Sequence, residues 1–346
     1  MLVALDPGYP VEVWLPNDLV HPAEEMALCT VLRARGVGVR HFGLPIMRRA
    51  YRTPRGLVGL LARACRLVVG LRATRPHLVY CTTSAALLGA PAARLARVPR
   101  VVGHFQEVWS RADTHVLAVA ARACHTLVAI SEAVTDALPR DLRMRTIVVA
   151  NGTPEPHEVI PLTGRAGDLH FLMASRWTPT KGYRTLLDAW DRAGAPGRLT
   201  ILGGVPLSGD SIDVPKLVSD LRQPQTVRVE GEVTDIASYI DDADVVLMPS
   251  DKAEGFGLVA VEAFARARPV IGSAAGGLLG ILEAGVNGWL FPAGDSAELS
   301  ALFVRLTRDE VTRAGQGARR SYDERFTAQR FAQDWRRAVF GASGEF

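Results

Sequence analysis

Short β-branched runs alternate with stretches of helical apolar spacing along most of the chain, the pattern of α/β units on a parallel sheet. In the first half this predicts strands at 11–15, 37–42, 77–80, 101–105, 126–130 and 146–150, with helices at 24–35, 57–71 and 84–96. The series breaks at NGTPEPHEVIPLTGRAGD (151–168), which is rich in Pro and Gly, holds no periodicity and reads as an interdomain linker. A second series follows, with strands at 170–174, 199–202, 227–230, 244–248 and 269–271 and helices at 183–193 and 258–267. The end, 308–340, is helical and carries Tyr322, Phe326, Phe331, Trp335 and Phe340.

Two doubly wound, Rossmann-like domains with a cleft between them are the simplest architecture, and ligands of such sheets sit outside the strands' carboxyl ends. The expected division is 1–160, 161–325, and a last helix, 326–346, crossing back to the first domain. A length of 346 residues suits two domains better than one core.

Composition narrows the class. The chain is 48% hydrophobic and 22% charged, a globular balance. No apolar run reaches the roughly 18 residues of a membrane span. The opening MLVALDPGYP does not read as a signal peptide. Cys29, Cys65, Cys81 and Cys124 are scattered, without a CxxC, which suits buried thiols in a reducing cytoplasm better than disulfides or zinc. The net charge of +4 hides an asymmetry: residues 1–165 hold 20 Arg, no Lys and 12 acids, about +8, and the remainder is about −4. A basic first half suits an acidic partner or a solvated Arg-rich surface. Nucleic acid is disfavoured because the arginines are spread over several elements without interleaved aromatics.

The chemistry concentrates in EGFGLVAVE, Glu254 to Glu262. Eight residues of helix rise about 12 Å and turn the second side chain about 80° away from the first. Glycosidase carboxyls lie about 5–9.5 Å apart across one bond, so the two glutamates are a poor acid/base pair. Gly255 and Gly257 instead permit a tight turn after a strand, with a helix starting near Gly257. Its free N–H groups suit anions and hydroxyl oxygens. The alternative is a Gly-rich strand-to-helix turn with a solvent-facing glutamate. Upstream, SRWTPTKG places Arg176 and Lys181 between a strand end and a helix start, where two cations suit a diphosphate or simply a charged surface. His104 closes the strand VVGHF, facing a ligand or serving the core. Asp242-Ala243-Asp244 is formally a DxD, but it precedes a strand and reads as capping.

In order and spacing these pieces resemble the GT-B fold glycosyltransferases of family 4, the glycosyl transferases group 1 family. The matching segments are SRWTPTKG, VEGEVTDIASYIDDADVVLMPS, EGFGLVAVE, GGLLGILEAGVNGWLFPAGD, LVAISEAV and VVANG. The resemblance implies retaining transfer from a nucleotide-sugar without a metal or other cofactor. It implies Arg176 and Lys181 on the diphosphate. Glu254, Gly255, Phe256, Gly257 and Leu258 would hold the sugar, Glu262 the ribose and Val233 the base. His104 and Glu254 would stand at the reacting centre. A lipid-linked or polysaccharide acceptor of the cell envelope would follow. A nucleotide-sugar epimerase and a non-catalytic nucleotide-sugar binding protein are the competing readings.

Two departures stand out. Family members begin with a strand, a Gly-Gly loop and a helix before a segment like YPVEVWLPND, which here starts at Tyr9. The expectation is a first domain without its first βα unit, its sheet left with an unpaired interior edge. Gly280 stands where many members carry Glu. Finally, Arg48, Arg49, Arg52 and Arg55 precede the apolar helix at 57–71 and could touch anionic lipid at the inner face of a membrane; core packing of that helix is the preferred reading.

Overall fold

The computed structural model describes residues 10–18, 22–46, 53–207 and 209–341. It forms two compact units: residues 1–149 with 332–346, and residues 150–331. Arg48, Arg49 and Arg52 lie outside the described residues.

Unit one starts with β1 (Glu12–Pro16), α1 (Pro22–Ala34) and β2 (Gly38–Phe42). It continues through α2 (Pro54–Thr74), β3 (Leu78–Cys81), α3 (Gly89–Leu95), β4 (Arg100–Phe105), α4 (Arg111–Ala121), β5 (Thr126–Ala129), α5 (Glu132–Asp136), α6 (Arg140–Arg143) and β6 (Thr146–Val148). Among the described residues β1 pairs in parallel with β2 alone, and β3, β4, β5 and β6 form a separate four-stranded parallel sheet. The single helix expected over 84–96 is a 3-10 turn, Ser84–Leu88, followed by α3. Pro91 explains the change: it has no N–H to continue an α-helical ladder from the preceding turn, but it fits the first turn of a new helix. Helix α2 starts three residues earlier than expected, with Pro54 in its first turn and Thr53 Oγ1 accepting from Gly56 N–H at 3.1 Å.

Unit two contains β7 (Leu169–Ala174), α7 (Tyr183–Arg192), β8 (Gly197–Leu202), α8 (Val214–Ser219), β9 (Val227–Gly231), α9 (Ala237–Asp242), β10 (Val245–Met248), α10 (Leu258–Ala265) and β11 (Val270–Ser273). Then come α11 (Leu278–Ile281), β12 (Gly288–Phe291), α12 (Ser296–Arg305), α13 (Arg308–Arg325) and α14 (Ala328–Phe340), whose last part belongs to unit one. Its six strands run in parallel in the order β12-β11-β10-β7-β8-β9. The chain winds outward one way from β7 and the other way from β10. The topological switch point of a doubly wound sheet therefore falls between these two neighbours.

The core of this unit closes around Phe171, Trp190 and Phe303, whose rings pack edge to face with centroids 5.2–5.6 Å apart. The stretch 151–168 is part of it. Leu162 lies in the core cluster. Thr153 fills the break between α13 and α14, donating its N–H to Phe326 O at 3.0 Å and accepting at its carbonyl from Ala328 N–H and Tyr322 Oη, both at 2.9 Å. The Pro- and Gly-rich composition marks irregular backbone here, and that backbone is hydrogen-bonded into the unit.

Candidate functional site

The β7–β10 switch point brings two distant segments together. After β7 the chain passes Ser175 and Arg176 and makes the 3-10 turn Pro179–Lys181 before α7. Gly182 joins that turn to the helix with φ +76°, and a Cβ there would lie 1.7 Å from Pro249 O. Only glycine fits both the left-handed backbone and this approach. The lock is reinforced from the other side: Asp251 N–H donates to Thr180 O at 3.0 Å, and Thr185 Oγ1 donates to Asp251 Oδ1 at 2.7 Å. The Lys181 turn is therefore fastened to the loop after β10.

That loop carries Glu254. Its Oε1 receives Lys181 Nζ at 2.6 Å and Ser250 Oγ at 2.5 Å. The pair is largely shielded, at 23% and 17% side-chain exposure, so its attraction is stronger than that of a surface ion pair. Sequence reading gave Lys181 and Glu254 separate tasks; the structure makes each the other's partner. Ser250 escaped sequence reading, because nothing in its spacing announces a hydroxyl aimed at a carboxylate four residues on.

The EGFG segment lies against a second loop, and a Cβ on Gly257 would meet Leu278 Cδ2 at 2.7 Å. Glu254 forms a parallel bridge with Gly276, and its carbonyl accepts from Gly277 N–H at 2.8 Å. A Cβ on Gly276 would meet Glu254 O at 2.3 Å, and one on Gly277 would meet Phe256 Cα at 2.6 Å. Gly257, at φ +115°, leads into α10 with no side-chain cap; Ala260 N–H donates to Gly257 O at 3.0 Å, and no side chain occupies the earlier amides of the helix mouth. Gly255 lies in this turn, Phe256 is buried against Phe326, and Leu258 is exposed.

Arg176 is exposed; its carbonyl accepts from Thr178 N–H at 2.8 Å, and its guanidinium has no ion pair or hydrogen bond among the described residues. Glu262, in the second turn of α10, is half-buried, its carboxylate without a hydrogen-bond partner among those residues. Burial pushes its pKa above the ordinary carboxylate value, against a smaller opposing pull from Arg266. Val233 is half-buried in the turn after β9, next to Gly231 at φ +81°. Gly203 N–H donates to Gly231 O at 2.7 Å, tying the ends of β8 and β9. Nothing lies within 4 Å of a Cβ on Gly280.

The DxD aspartates have structural partners at the opposite end of the sheet. Asp244 accepts from His170 N–H at 2.9 Å and faces Arg165 and Arg308 at 3.1 and 3.3 Å, while Asp242 pairs with His170 Nδ1 at 3.1 Å. His104 belongs to unit one, on the interior strand β4, and is only 2% exposed. Its ring packs edge-on to Tyr80 with centroids 5.7 Å apart, and neither ring nitrogen has a hydrogen-bond partner among the described residues. Burial pushes its pKa down to about 4, so the imidazole is neutral at pH 7.

The switch point gathers Arg176, Lys181 and the start of α10 at the carboxyl ends of the strands, where ligands of doubly wound sheets sit. The fold is GT-B: the Anabaena protein Alr3699/HepE, solved in complex with UDP, superposes with a TM-score of 0.77 at 22% identity over 94% of this chain and 98% of its own. The apo lipopolysaccharide outer core galactosyltransferase WaaB superposes with a TM-score of 0.72 at 18% identity, over 96% and 99%. Residues 168–309 match the glycosyl transferases group 1 family. The D-inositol 3-phosphate glycosyltransferase of Pseudarthrobacter chlorophenolicus is 36% identical over 159 residues, 44% of this chain and 37% of the relative. The phosphatidyl-myo-inositol mannosyltransferase of Mycobacterium leprae is 36% identical over 156 residues, 42% and 40%. The alignments thus span about two fifths of these curated relatives.

Proposed function

We propose that the protein is a retaining glycosyltransferase that moves a sugar from a nucleotide-sugar to a lipid-linked or polysaccharide acceptor of the cell envelope, on the cytoplasmic face of a membrane. The observation that carries this reading is the assembly at the β7–β10 switch point: exposed Arg176, the Lys181–Glu254 pair and the uncapped mouth of α10. The family match and the relative named for a phosphatidyl-inositol acceptor support it.

In this reading Arg176 and Lys181 bind the diphosphate, whose charge grows as the sugar leaves. Preorganised cations and helix amides stabilise that charge without reorganising at the moment of reaction. Glu254 holds the Lys181 ammonium in place and presents its remaining lone pairs to sugar hydroxyls, beside the backbone of Gly255, Phe256, Gly257 and Leu258. The unpartnered Glu262 carboxylate accepts from the ribose hydroxyls, and the base sits against the backbone turn at Val233. The bond from the anomeric carbon to the phosphate oxygen breaks, and the acceptor oxygen bonds to that carbon on the same face. The acceptor's proton passes to the departing diphosphate oxygen. The leaving group serves as the base, so no metal or cofactor is invoked.

The test is incubation with UDP-, GDP- and ADP-sugars, with and without phosphatidylinositol as acceptor probe, followed by NMR of the product's anomeric proton. A glycolipid with the donor's anomeric configuration is expected. An inverted linkage would contradict retention. A donor isomerised without acceptor would point to an epimerase, and tight binding with no turnover on any donor and acceptor to a binding protein.

A further inference from the structure

Glu232 leaves β9 just before the Val233 turn, and the step into it is irregular. Val229 pairs with Ile201 and Gly231 with Leu202, so β9 carries one extra residue, Glu230, at its carboxyl end. Side chains alternate along a strand, so such a bulge turns the positions after it to the other face. Glu232 lies across the backbone that follows β8. A Cβ on Gly204 would meet Glu232 Cγ at 2.7 Å and Oε1 at 2.8 Å. Glycine at 204 is what lets the side chain come so close. Gly204 is itself held in place: its carbonyl accepts from Trp177 N–H at 2.8 Å, and the neighbouring Gly203, at φ +120°, donates its N–H to Gly231 O at 2.7 Å. The stem of Glu232 is therefore seated, while the residue is exposed and its carboxylate has no ion pair or hydrogen bond among the described residues.

On the nucleotide-sugar reading above, which puts the base at the Val233 turn, we propose that Glu232 selects the base of the donor and that this base is guanine. A carboxylate only accepts, through two oxygens side by side. It matches an edge that presents two parallel N–H groups, and such forked, charge-assisted pairs are the strong ones. Guanine has that edge, with N1–H beside its 2-amino group. Uracil has a single N3–H between two carbonyl oxygens, which would stand against the carboxylate oxygens. Adenine sets its 6-amino group beside the lone pair of N1, so one carboxylate oxygen again meets an acceptor. Binding either base strips water from the carboxylate without replacing both hydrogen bonds, and a site built for a donor rejects an analogue that lacks it. The donor is then a GDP-sugar. The base-reading group is a side chain, next to the backbone turn that holds the ring.

The experiment is titration calorimetry of GDP, inosine diphosphate, UDP and ADP against the full chain, Glu232→Ala and Glu232→Gln. It needs neither acceptor nor turnover. GDP is expected to bind about 20-fold or more tighter than UDP and ADP. Inosine diphosphate, which keeps N1–H and lacks the 2-amino group, should fall between. Both replacements should weaken GDP about tenfold and leave UDP and ADP within about twofold, so the preference collapses. A merely structural Glu232 would weaken all four nucleotides alike, which would overturn the proposal. A preference for UDP or ADP, or a GDP preference that both variants keep, would overturn it too, while nucleotide binding itself leaves the donor reading standing. Binding of none of the four to the folded, unmodified chain would overturn both.

Discussion

Lys181 Nζ lies 2.6 Å from Glu254 Oε1, joining residues 73 positions apart across the point where the unit-two sheet reverses its winding. The pair couples the two halves of the site. Either residue alone leaves its partner's charge partly buried without compensation, so single replacements cost more than their own contacts. Lys181→Ala and Glu254→Ala are each expected to weaken nucleotide-sugar binding. The double variant should be little worse than the poorer single, with a coupling of about 1–3 kcal/mol. Isothermal titration of the four proteins closes the cycle; simple additivity would mean the pair does not act as a unit.

Two glycines of the site separate backbone necessity from vacancy. Gly182→Ala forces a Cβ into Pro249 O from a left-handed backbone. It should cost about 3 kcal/mol or more and lower the thermal midpoint by several degrees. Gly280→Ala meets nothing within 4 Å at an ordinary φ, so its effect should stay within about 0.5 kcal/mol. Thermal melts of the two variants side by side give the comparison. A Gly182 variant as stable as its parent would show that the Lys181 turn is not held as described.

Arg268 is fully buried and donates to five carbonyl oxygens, those of Ile160, Ile240, Asp241, Ala243 and Arg266, at 2.6–3.1 Å. It collects the unsatisfied carbonyls at the end of α9, where a cation also meets the negative end of the helix dipole. Burial nonetheless pulls its pKa down to about 10. Arg268→Met removes its donors from the carbonyls of Ile160, Ile240 and Arg266, while Arg165 still donates to those of Asp241 and Ala243; a loss of about 3 kcal/mol in chemical denaturation is expected. A loss below about 1 kcal/mol would mean water takes over those bonds.

Most of the fold was legible because parallel α/β units impose strong patterns: buried strands as β-branched runs, and helices with one apolar stripe. β12 escaped because Gly288–Phe291 is four residues long and sits between turn signals, Asn287 on one side and Pro292 on the other. The outer face of α2 escaped for a different reason: Leu67 and Leu71 are buried, while Val58, Leu61 and Val69 are each 67% exposed, so core packing holds for one side alone. An apolar helix reads the same whichever side is covered, and only the neighbours decide. At the site, the residues of EGFG and KG were legible from spacing. Their purpose as places where two backbones touch was not, because the touching partners, Pro249 and Gly276–Gly277, belong to other segments.

The raised pKa of Glu262 gives the site a pH dependence. In the proposed site ribose hydroxyls would donate to the ionised carboxylate, so donor affinity should fall as pH drops through that pKa, which lies above 4.5, and plateau at higher pH. Glu262→Gln should flatten the profile. For stability the sign is opposite. The folded carboxyl holds its proton to higher pH than the unfolded one, so its contribution is largest at low pH and is lost as pH rises from 4.5 through the folded value. His104 acts the other way. Its folded pKa of about 4 lies below 6.5, so the stability tied to its neutral ring is complete above 6.5 and lost as pH falls toward 4. That contribution, up to about 3 kcal/mol, should be absent in His104→Phe. Denaturation midpoints from pH 4 to 8 read both effects.

The central claim is that Arg176, Lys181 and Glu262 form one site for a nucleoside-diphosphate sugar. Titration calorimetry of UDP-, GDP- and ADP-glucose against the full chain tests it most directly, with Arg176→Ala, Lys181→Ala and Glu262→Ala in parallel. One nucleotide should bind with clear preference, and each replacement should weaken it about 10- to 100-fold while the protein stays folded. Binding that all three variants retain undiminished would place the nucleotide elsewhere and contradict the account.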